Sequence, residues 1–299
     1  MFFFKEQYTV FYKFRLSYYK FYLFLYKMVK KILIIGQNGL LGSSLINYFK
    51  IKKLKVYSLS FETFLKKFNK NIIRYDVIIN CTSNQKFISN SYQVKNDNDL
   101  IVAKKIIGTK IKFVMMSTRK IYKNKFNIKE SDKKKPNCNY AKNKLISENS
   151  VKKILLNKVL ILRISNIISY PNNNKRKLHK TFCDIFFEKA KEGYIYKNKK
   201  IYKDFISIKK FNQIVFKLIK KNSLGIYNIS LGKKIYINKL ITWLNFYNQK
   251  KINFINPKNT FNNDSFTLNN KKLMSKIKIK NDIIELKNEC LKISKFFFR

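Results

Sequence analysis

Two residues four positions apart, Tyr140 and Lys144 in the run NYAKNK, have side chains that could take part in acid–base chemistry. Residues at i and i+4 lie on one face of a helix, so the lysine ammonium can stand beside the phenol. An unperturbed tyrosine has a pKa of roughly 10, too high for a base at neutral pH, and a nearby positive charge favours the phenolate. The alternative is that the pair only decorates an exposed helix, because the chain holds 19 tyrosines and 65 lysines and arginines.

Three of the seven glycines, Gly36, Gly39 and Gly42, fall in the stretch KILIIGQNGLLGSSL. A short apolar run precedes them and a helical pattern follows, which is the order of a dinucleotide-binding turn. Gly36 would make the tight turn, Gly39 would let the backbone approach a pyrophosphate, and Gly42 would let helix and strand pack closely. The helix N-terminus would supply unpaired N–H groups to the phosphates. The spacing differs from the usual G-x-G-x-x-G, so a purely structural turn is the alternative.

The glycine turn belongs to a repeating pattern of apolar runs and helical segments. Short apolar runs of this kind are typical of strands buried in a parallel sheet. They lie at 31–35, 55–60, 75–81, 112–118 and 158–165, with helical patterns at 40–50, 92–107 and 140–154. This alternation predicts an α/β fold, a doubly wound parallel sheet of the Rossmann type with helices on both faces.

The pattern changes after about residue 166. Helical candidates at 178–192, 208–220 and 237–248 alternate there with short extended pieces such as 225–230. No linker rich in Pro, Gly or Ser separates the two parts, so we expect them to pack as one unit with a cleft between them. The predicted division is a dinucleotide-binding domain at 28–165 and a smaller substrate-binding part at 166–299, interleaved with the first.

The first 27 residues are aromatic and basic. Their longest uncharged apolar run, 21–26, is far short of the roughly 20 residues that a membrane span needs. Met28 then begins MVKKILIIG, which resembles a natural start. We interpret residues 1–27 as upstream sequence or a dispensable tail; a targeting or membrane-surface segment is the alternative.

The formal net charge of +49 invites a nucleic-acid or membrane interpretation. The lysines are scattered along the chain, however, and the abundant residues (Lys, Asn, Ile, Phe, Tyr) have A/T-rich codons. Genome base composition accounts for this pattern, so we expect no nucleic-acid partner. The four cysteines are far apart and His179 is the only histidine, which predicts no metal site and favours a reducing, cytoplasmic setting.

Six further segments, in order, carry a family resemblance. They are YDVIINCTS, YQVKN, KESDKKKPNCNYAKNK, LILRISNIISYP, KDFISIKKF and GIYNISLGKKIYINKL. With them the chain resembles the extended short-chain dehydrogenase/reductases, the NAD-dependent sugar epimerase/dehydratase family, from about residue 30 to about residue 285. Dimers are common in this family, and the sequence leaves the oligomeric state open.

The resemblance implies roles for particular residues. Tyr140 would be the acid/base, Lys144 would favour the phenolate and hold the ribose hydroxyls, and Thr118 would bind the substrate oxygen. The cofactor-binding residues would be Gly36, Gln37, Asn38, Gly39, Leu40, Leu41, Gly42, Cys81, Thr82, Asn96, Ser117, Tyr140 and Lys144. The substrate-binding residues would be Thr118, Asn166 and Lys203. Arg163 is equally consistent with a structural ion pair.

Several positions depart from the family pattern. Lys203 stands where the family usually has Arg, which loses the bidentate fork. Ser169 and Ser207 replace a glycine and a histidine. The span from 60 to 75 is too short for the usual third strand, and no acidic residue ends the second strand, so the choice between NAD and NADP is open, with a lean to NAD from the family.

Arg119 and Lys120 follow Thr118, where dehydratases and decarboxylases of the family have an acid. We therefore expect a plain redox role: a 4-ketosugar reductase or a 4-epimerase, acting on a nucleotide-activated sugar by hydride transfer. The alternative is a non-catalytic NAD(P)-binding regulatory or assembly protein on the same fold. A nucleic-acid binder is the third hypothesis, and it gives the Tyr140–Lys144 pair no use.

Overall fold

The computed structural model describes residues 30–67, 74–170, 180–196, 199–250, 253–255, 264–280 and 282–299. The predicted extension 1–27 and His179 lie outside these residues. The strands are β1 Lys31–Ile35, β2 Lys55–Leu59, β3 Val77–Asn80, β4 Lys112–Thr118, β5 Val159–Ile164, β6 Asn166–Ile168, β7 Tyr194–Tyr196, β8 Tyr202–Lys203, β9 Phe205–Ser207, β10 Gly225–Ile229, β11 Ile235–Tyr236 and β12 Asn253–Ile255. The α-helices are α1 Leu40–Ile51, α2 Phe61–Lys67, α3 Gln85–Ser89, α4 Asn98–Lys105, α5 Asn139–Leu155, α6 Phe182–Lys191, α7 Ile208–Lys220, α8 Ile237–Leu244, α9 Lys271–Ile277 and α10 Ile283–Phe298.

A six-stranded sheet in the order β10-β5-β4-β3-β1-β2 forms the centre of the molecule. Every neighbouring pair in it is parallel. The predicted doubly wound parallel sheet is therefore confirmed. The strand order reverses between β1 and β3, because β1 continues to β2 on one side while the chain returns to β3 on the other.

Both faces of the sheet are covered, as the apolar runs of its inner strands require. Successive side chains of a strand point to opposite faces, so β1 contributes Ile32 and Ile34 to one core and Leu33 and Ile35 to the other. Residues of α1, α7 and α9 complete the first core, and residues of α2, α4 and α5 complete the second.

The second half of the chain contributes to both parts of the molecule. β10 is an edge strand of the central sheet, paired with β5, and α7 packs beneath that sheet. A separate core joins α6, α8 and α10 with the short strand pairs β6–β9 and β8–β11. The extended piece predicted at 225–230 thus joins the main sheet rather than the smaller part. The two-domain division of the chain stays a prediction.

β2 forms the other edge of the sheet. Among the described residues between β2 and β3, only α2 and a short turn at Arg74 occur. Within the described segments, no helix is both long and apolar enough to cross a bilayer.

Candidate active site

Most of the predicted cofactor-binding residues lie at the carboxyl ends of β1, β3 and β4 or on the segments that follow them. In an open parallel sheet, ligands bind at this edge, in the crevice where the strand order reverses. The segment after β1 is tied to its neighbours by backbone hydrogen bonds from Gly36 N to Leu59 O (2.9 Å) and from Cys81 N to Ile35 O (2.8 Å). A groove of about 640 Å³ beside Leu156 and Gly225 lies at the opposite end of the strands, where β5 and β10 begin.

Two of the three motif glycines are required by the packing of the turn itself. Gly36 has φ +96°, and a Cβ added there would lie 2.7 Å from Cγ2 of Thr82. A Cβ on Gly42 would lie only 2.1 Å from the carbonyl oxygen of Gly36. These two glycines therefore let β1, α1 and the segment after β3 approach one another closely.

Gly39 is not required in this way. A Cβ added to it would have its nearest neighbour, Gly36 O, at 3.6 Å, which is an ordinary contact, and the residue is exposed. Gly39 is also the N-cap of α1, with no side-chain cap and no acidic residue in the first turn. The N–H groups of this helix end are thus available to an anion, and a pyrophosphate fits the turn. Of the other turn residues predicted to bind the cofactor, Asn38 is exposed, whereas Gln37, Leu40 and Leu41 are half-buried.

The segment after β3 forms the other wall of the crevice. The Thr82 hydroxyl donates to Oδ1 of Asn80 at 2.6 Å, and the Thr82 backbone N–H donates to the same oxygen at 3.1 Å. Cys81 lies beside them, half-buried, and burial raises the pKa of its thiol well above the ordinary value. Cys81 is therefore neutral at physiological pH.

Lys144 is buried and paired with a carboxylate that the sequence interpretation missed. Its Nζ lies 2.6 Å from Oδ2 of Asp99, and the two residues are 3% and 2% exposed. Asn80 donates from Nδ2 to the other Asp99 oxygen at 2.7 Å. An unbroken hydrogen-bonded chain Thr82–Asn80–Asp99–Lys144 thus connects the segment that packs against Gly36 to the helix that carries Tyr140.

The pKa of Tyr140 is raised, not lowered. Burial is the main cause, the Lys144 ammonium acts in the opposite direction, and the Asp99 carboxylate adds to the rise. Burial alone would lower the pKa of Lys144, but Asp99 outweighs it and holds that pKa above the ordinary value. Burial and Asp99 therefore outweigh the effect of Lys144 on the phenol in the free protein, and the predicted role of Lys144 stays a prediction.

Ser117 and Thr118 differ in their surroundings. The Ser117 hydroxyl donates to Oε1 of buried Glu148 at 2.5 Å, so it is used inside the core. The cofactor-binding role of Ser117 stays a prediction. The bond to Glu148 argues against it, because it already uses the hydroxyl proton. Thr118 Oγ1 accepts from the backbone N–H of Lys120 at 3.2 Å, which starts the turn Arg119–Ile121.

Arg163 forms the structural ion pair that the sequence left as one of its two interpretations. Its Nη2 lies 2.6 Å from Oε2 of Glu148, and both side chains are buried. The same guanidinium donates to the hydroxyl of Tyr122 at 2.6 Å. This network joins β5, α5 and the segment after β4 beneath the site.

The remaining predicted residues lie around the crevice or in the smaller part. Asn96 is buried just before α4, and its Nδ2 donates to Gln93. Asn166 begins β6 and donates to the carbonyl of Asp204 at 3.3 Å. Lys203 ends β8 and pairs with Asp264 at 2.5 Å. Their cofactor and substrate roles stay predictions.

Asp99 and Glu148 could have been noticed in the sequence. The chain holds only 16 acidic residues against 65 basic ones, and both carboxylates fall within helical patterns. Carboxylates are almost never fully buried unless they are paired. What the sequence could not supply was the partner, because Asp99 and Lys144 are 45 positions apart.

The fold and the glycine turn place the protein in the class of Rossmann-type α/β proteins that resemble the extended short-chain dehydrogenase/reductases. A family profile described as "RmlD substrate binding domain" matches residues 30–194. The chain belongs to this family. Its sequence has no significant match among curated proteins.

Solved structures support the same fold. UDP-N-acetylglucosamine 4-epimerase from Methanobrevibacter ruminantium M1 is 17% identical, with a TM-score of 0.74 over 90% of this chain and 98% of that one. RMD from Pseudomonas aeruginosa is 15% identical, with a TM-score of 0.73 over 89% and 98%. UDP-glucose 4-epimerase from Thermotoga maritima is 17% identical, with a TM-score of 0.72 over 89% and 98%. At these identities the likeness establishes the fold.

Proposed function

We propose that the protein is an NAD(P)-dependent oxidoreductase or epimerase that acts on a nucleotide-activated sugar by hydride transfer at a keto or carbinol carbon. One observation carries the proposal: the uncapped glycine turn and the Tyr140–Lys144 helix are joined through Thr82, Asn80 and Asp99. A turn that fits a pyrophosphate is thus connected to the proposed acid–base pair, by the packing of Thr82 against Gly36 and by the hydrogen bonds that run from Thr82 to Lys144. Family membership supports this function.

The fit of the turn supports the proposed cofactor contacts. Gly39 and the amino end of α1 would hold the pyrophosphate, and Lys144 would hold the ribose hydroxyls. The bound nicotinamide supplies or accepts the hydride. NAD is the proposed cofactor, with NADP as the alternative, because no acidic residue or arginine distinguishes them at the end of β2.

The chemistry of the chain's own residues follows from their types. The Tyr140 hydroxyl would give a proton to the substrate oxygen during reduction and take it back during oxidation. Lys144 favours the phenolate in the second direction, and burial favours the phenol in the first. Thr118 would orient the substrate oxygen by a hydrogen bond.

The reaction would be a simple redox reaction at the sugar. Arg119 stands where an elimination would need an acid. A 4-ketosugar reductase would release its cofactor after each turnover, whereas a 4-epimerase would keep it and return the hydride to the other face. A cytoplasmic location and a homodimer are part of the proposal.

The ligands bound in solved relatives support a cofactor and substrate of this class. RMD from Pseudomonas aeruginosa is described with NADPH, MoeE5 with UDP-glucuronic acid and NAD, and WbmG from Bordetella bronchiseptica with NAD and UDP. Those ligands belong to those proteins, and the proposal extends their class to this chain.

A second function, cofactor binding without catalysis, is favoured by one observation. The Lys144 ammonium is already neutralised by Asp99, and the pKa of Tyr140 is raised. A sensor or assembly protein would need no reactive phenol.

Cofactor binding is the first test of the proposal. Calorimetry with NAD, NADH, NADP and NADPH should show saturable one-site binding. It should also show a preference between NAD and NADP, and the same preference between NADH and NADPH. UDP- and dTDP-sugars are then titrated into the complex. Cofactor binding without sugar-nucleotide binding would favour the second function, and folded protein that binds no cofactor would contradict both.

A further inference from the structure

Arg119 occupies the position next to the predicted substrate-oxygen ligand. It follows Thr118 directly, in the turn Arg119–Ile121 that ends β4. On the proposed role of Thr118, a side chain here would lie beside the part of the substrate that Thr118 binds. For a nucleotide sugar, that part is the sugar ring rather than the nucleotide.

The guanidinium of Arg119 is held rigidly but is incompletely hydrogen-bonded. It stacks on buried Phe266 at 3.7 Å from the ring centroid, and its Nη1 donates to Oδ1 of Asn124 at 2.5 Å. Its Nε is buried and has no hydrogen-bond partner in the part of the chain that the structure describes. Burying a charged donor without a partner is costly. The buried Nε is out of a ligand's reach, so an anion would contact the terminal nitrogens of this half-buried side chain.

Arg119 also lacks an ion-pair partner within 4.0 Å among the described residues. The carboxylate that acts on it, Asp264, is already paired with Lys203 at 2.5 Å. Burial lowers the pKa of Arg119 to about 10, so the guanidinium stays charged at neutral pH. Two cations thus share one carboxylate, which leaves one positive charge for an anion.

We propose that Arg119 is a specificity-determining residue that selects a sugar bearing its own carboxylate, so that the substrate is a nucleotide-linked sugar acid. The planar guanidinium fork matches the two oxygens of a carboxylate. This inference rests on the proposed function and deepens it by naming the substrate class.

Paired ligands test the inference with the full-length protein saturated with its cofactor. UDP-glucuronate and UDP-glucose differ at C6 as carboxylate and hydroxymethyl, and both carry the same diphosphate. We expect the sugar acid to bind tighter by about tenfold or more, as for a charge-assisted bidentate contact. Arg119→Gln should abolish this ratio, whereas Arg119→Lys should keep part of it.

A matched control separates this contact from the general positive charge of the protein. Lys120→Gln removes the same charge from the neighbouring, exposed position and should leave the ratio unchanged. Titrations at about 0.15 M salt reduce long-range attraction. Cofactor affinity, measured on each variant, shows that it is folded.

Each outcome has one meaning. Equal binding of the two sugars by the wild type, or a ratio that survives Arg119→Gln, overturns the inference and leaves the proposed function intact. If both sugars lose affinity equally in Arg119→Gln, the residue contacts the diphosphate and the sugar-acid assignment is wrong. If neither these ligands nor their dTDP counterparts bind to cofactor-loaded protein, the proposed function fails together with the inference.

Discussion

Asp99 and Lys144 together determine the charge balance beside the Tyr140 phenol. Asp99 neutralises a lysine that would otherwise act alone on the Tyr140 phenol, and it is held in place by Asn80. Truncating one partner of such a buried pair leaves an uncompensated charge and is strongly destabilising. A substitution that keeps the shape and one hydrogen bond is therefore the informative one.

Replacing Asp99 with asparagine should lower the pKa of Tyr140, because the carboxylate now adds to its rise. A phenolate favours the positively charged nicotinamide of NAD but not the neutral ring of NADH. The affinity for NAD relative to NADH should therefore increase as the pH rises through the pKa of Tyr140. In Asp99→Asn this increase should occur at lower pH, as measured by calorimetry across a pH series.

The control for this prediction is Asp76→Asn. It makes the same change at an exposed position just before β3, at the amino end of the strands and away from the crevice. It should leave the pH dependence as in the wild type. An unchanged profile in Asp99→Asn would show that the carboxylate does not act on the phenol.

At the scale of elements, the crevice depends on how closely β1, α1 and β3 approach. Gly36 and Gly42 permit that approach. Gly39 is exposed and is not needed for it, because a Cβ there would make only ordinary contacts. The turn therefore separates residues needed for folding from one available to a ligand, although all three belong to one motif.

Two glycine substitutions distinguish these roles. Gly42→Ala should destabilise the protein by at least about 3 kcal/mol, because the new methyl overlaps a backbone carbonyl. Gly39→Ala should cost no more than about 1 kcal/mol, typical of an N-cap change, yet weaken cofactor binding by about tenfold or more. Chemical denaturation and calorimetry measure the two effects. Wild-type cofactor affinity in Gly39→Ala would show that the pyrophosphate does not lie over this residue.

The Arg163–Glu148 pair fixes α5 against β5, and with it the helix that carries Tyr140 and Lys144. Glu148→Leu should destabilise the protein by about 3–5 kcal/mol, because Arg163 is left charged and buried. Adding Arg163→Met should restore much of that loss, as urea denaturation would show. Glu192→Gln, which breaks an exposed pair with Lys189, should change stability little. No recovery in the double variant would mean that packing, not charge, dominates.

Much of the sheet was predictable because most of its strands contain short apolar runs. The runs at 31–35 and 112–118 coincide with β1 and β4. The pairing of β10 with the central sheet was not predictable. The apolar pattern of GIYNIS does not distinguish a strand of the central sheet from a short extended segment outside it. The pairing of Lys144 with Asp99 was missed for a related reason: it depends on two helices meeting, which local periodicity does not specify.

At the scale of the whole molecule, the composition is strongly basic and its few acids are informative. Among the acidic residues that the structure describes, five are buried, namely Asp97, Asp99, Glu148, Asp184 and Asp204. A buried carboxylate is tolerated where a cation or backbone N–H groups form hydrogen bonds with it. The net charge of +49 acts at longer range, as a field that attracts anionic ligands.

Salt should therefore affect the association of cofactor more than its dissociation. Raising the ionic strength from about 0.02 M to about 0.2 M shortens the range of the field, so the association rate constant of NADH should fall by about tenfold. The dissociation rate constant should change by less than about twofold, as measured by stopped-flow fluorescence. An association rate that does not depend on salt would show that the basic surface plays no part in ligand capture.

The central claim is hydride transfer that depends on Tyr140. The most direct measurement adds UDP- and dTDP-sugars to cofactor-loaded protein and follows the absorbance of the reduced nicotinamide, in the wild type and in Tyr140→Phe. We predict a sugar-dependent change in the wild type that is slower by about a hundredfold or more in the variant, with cofactor affinity preserved. A variant that reacts at the wild-type rate would contradict the account.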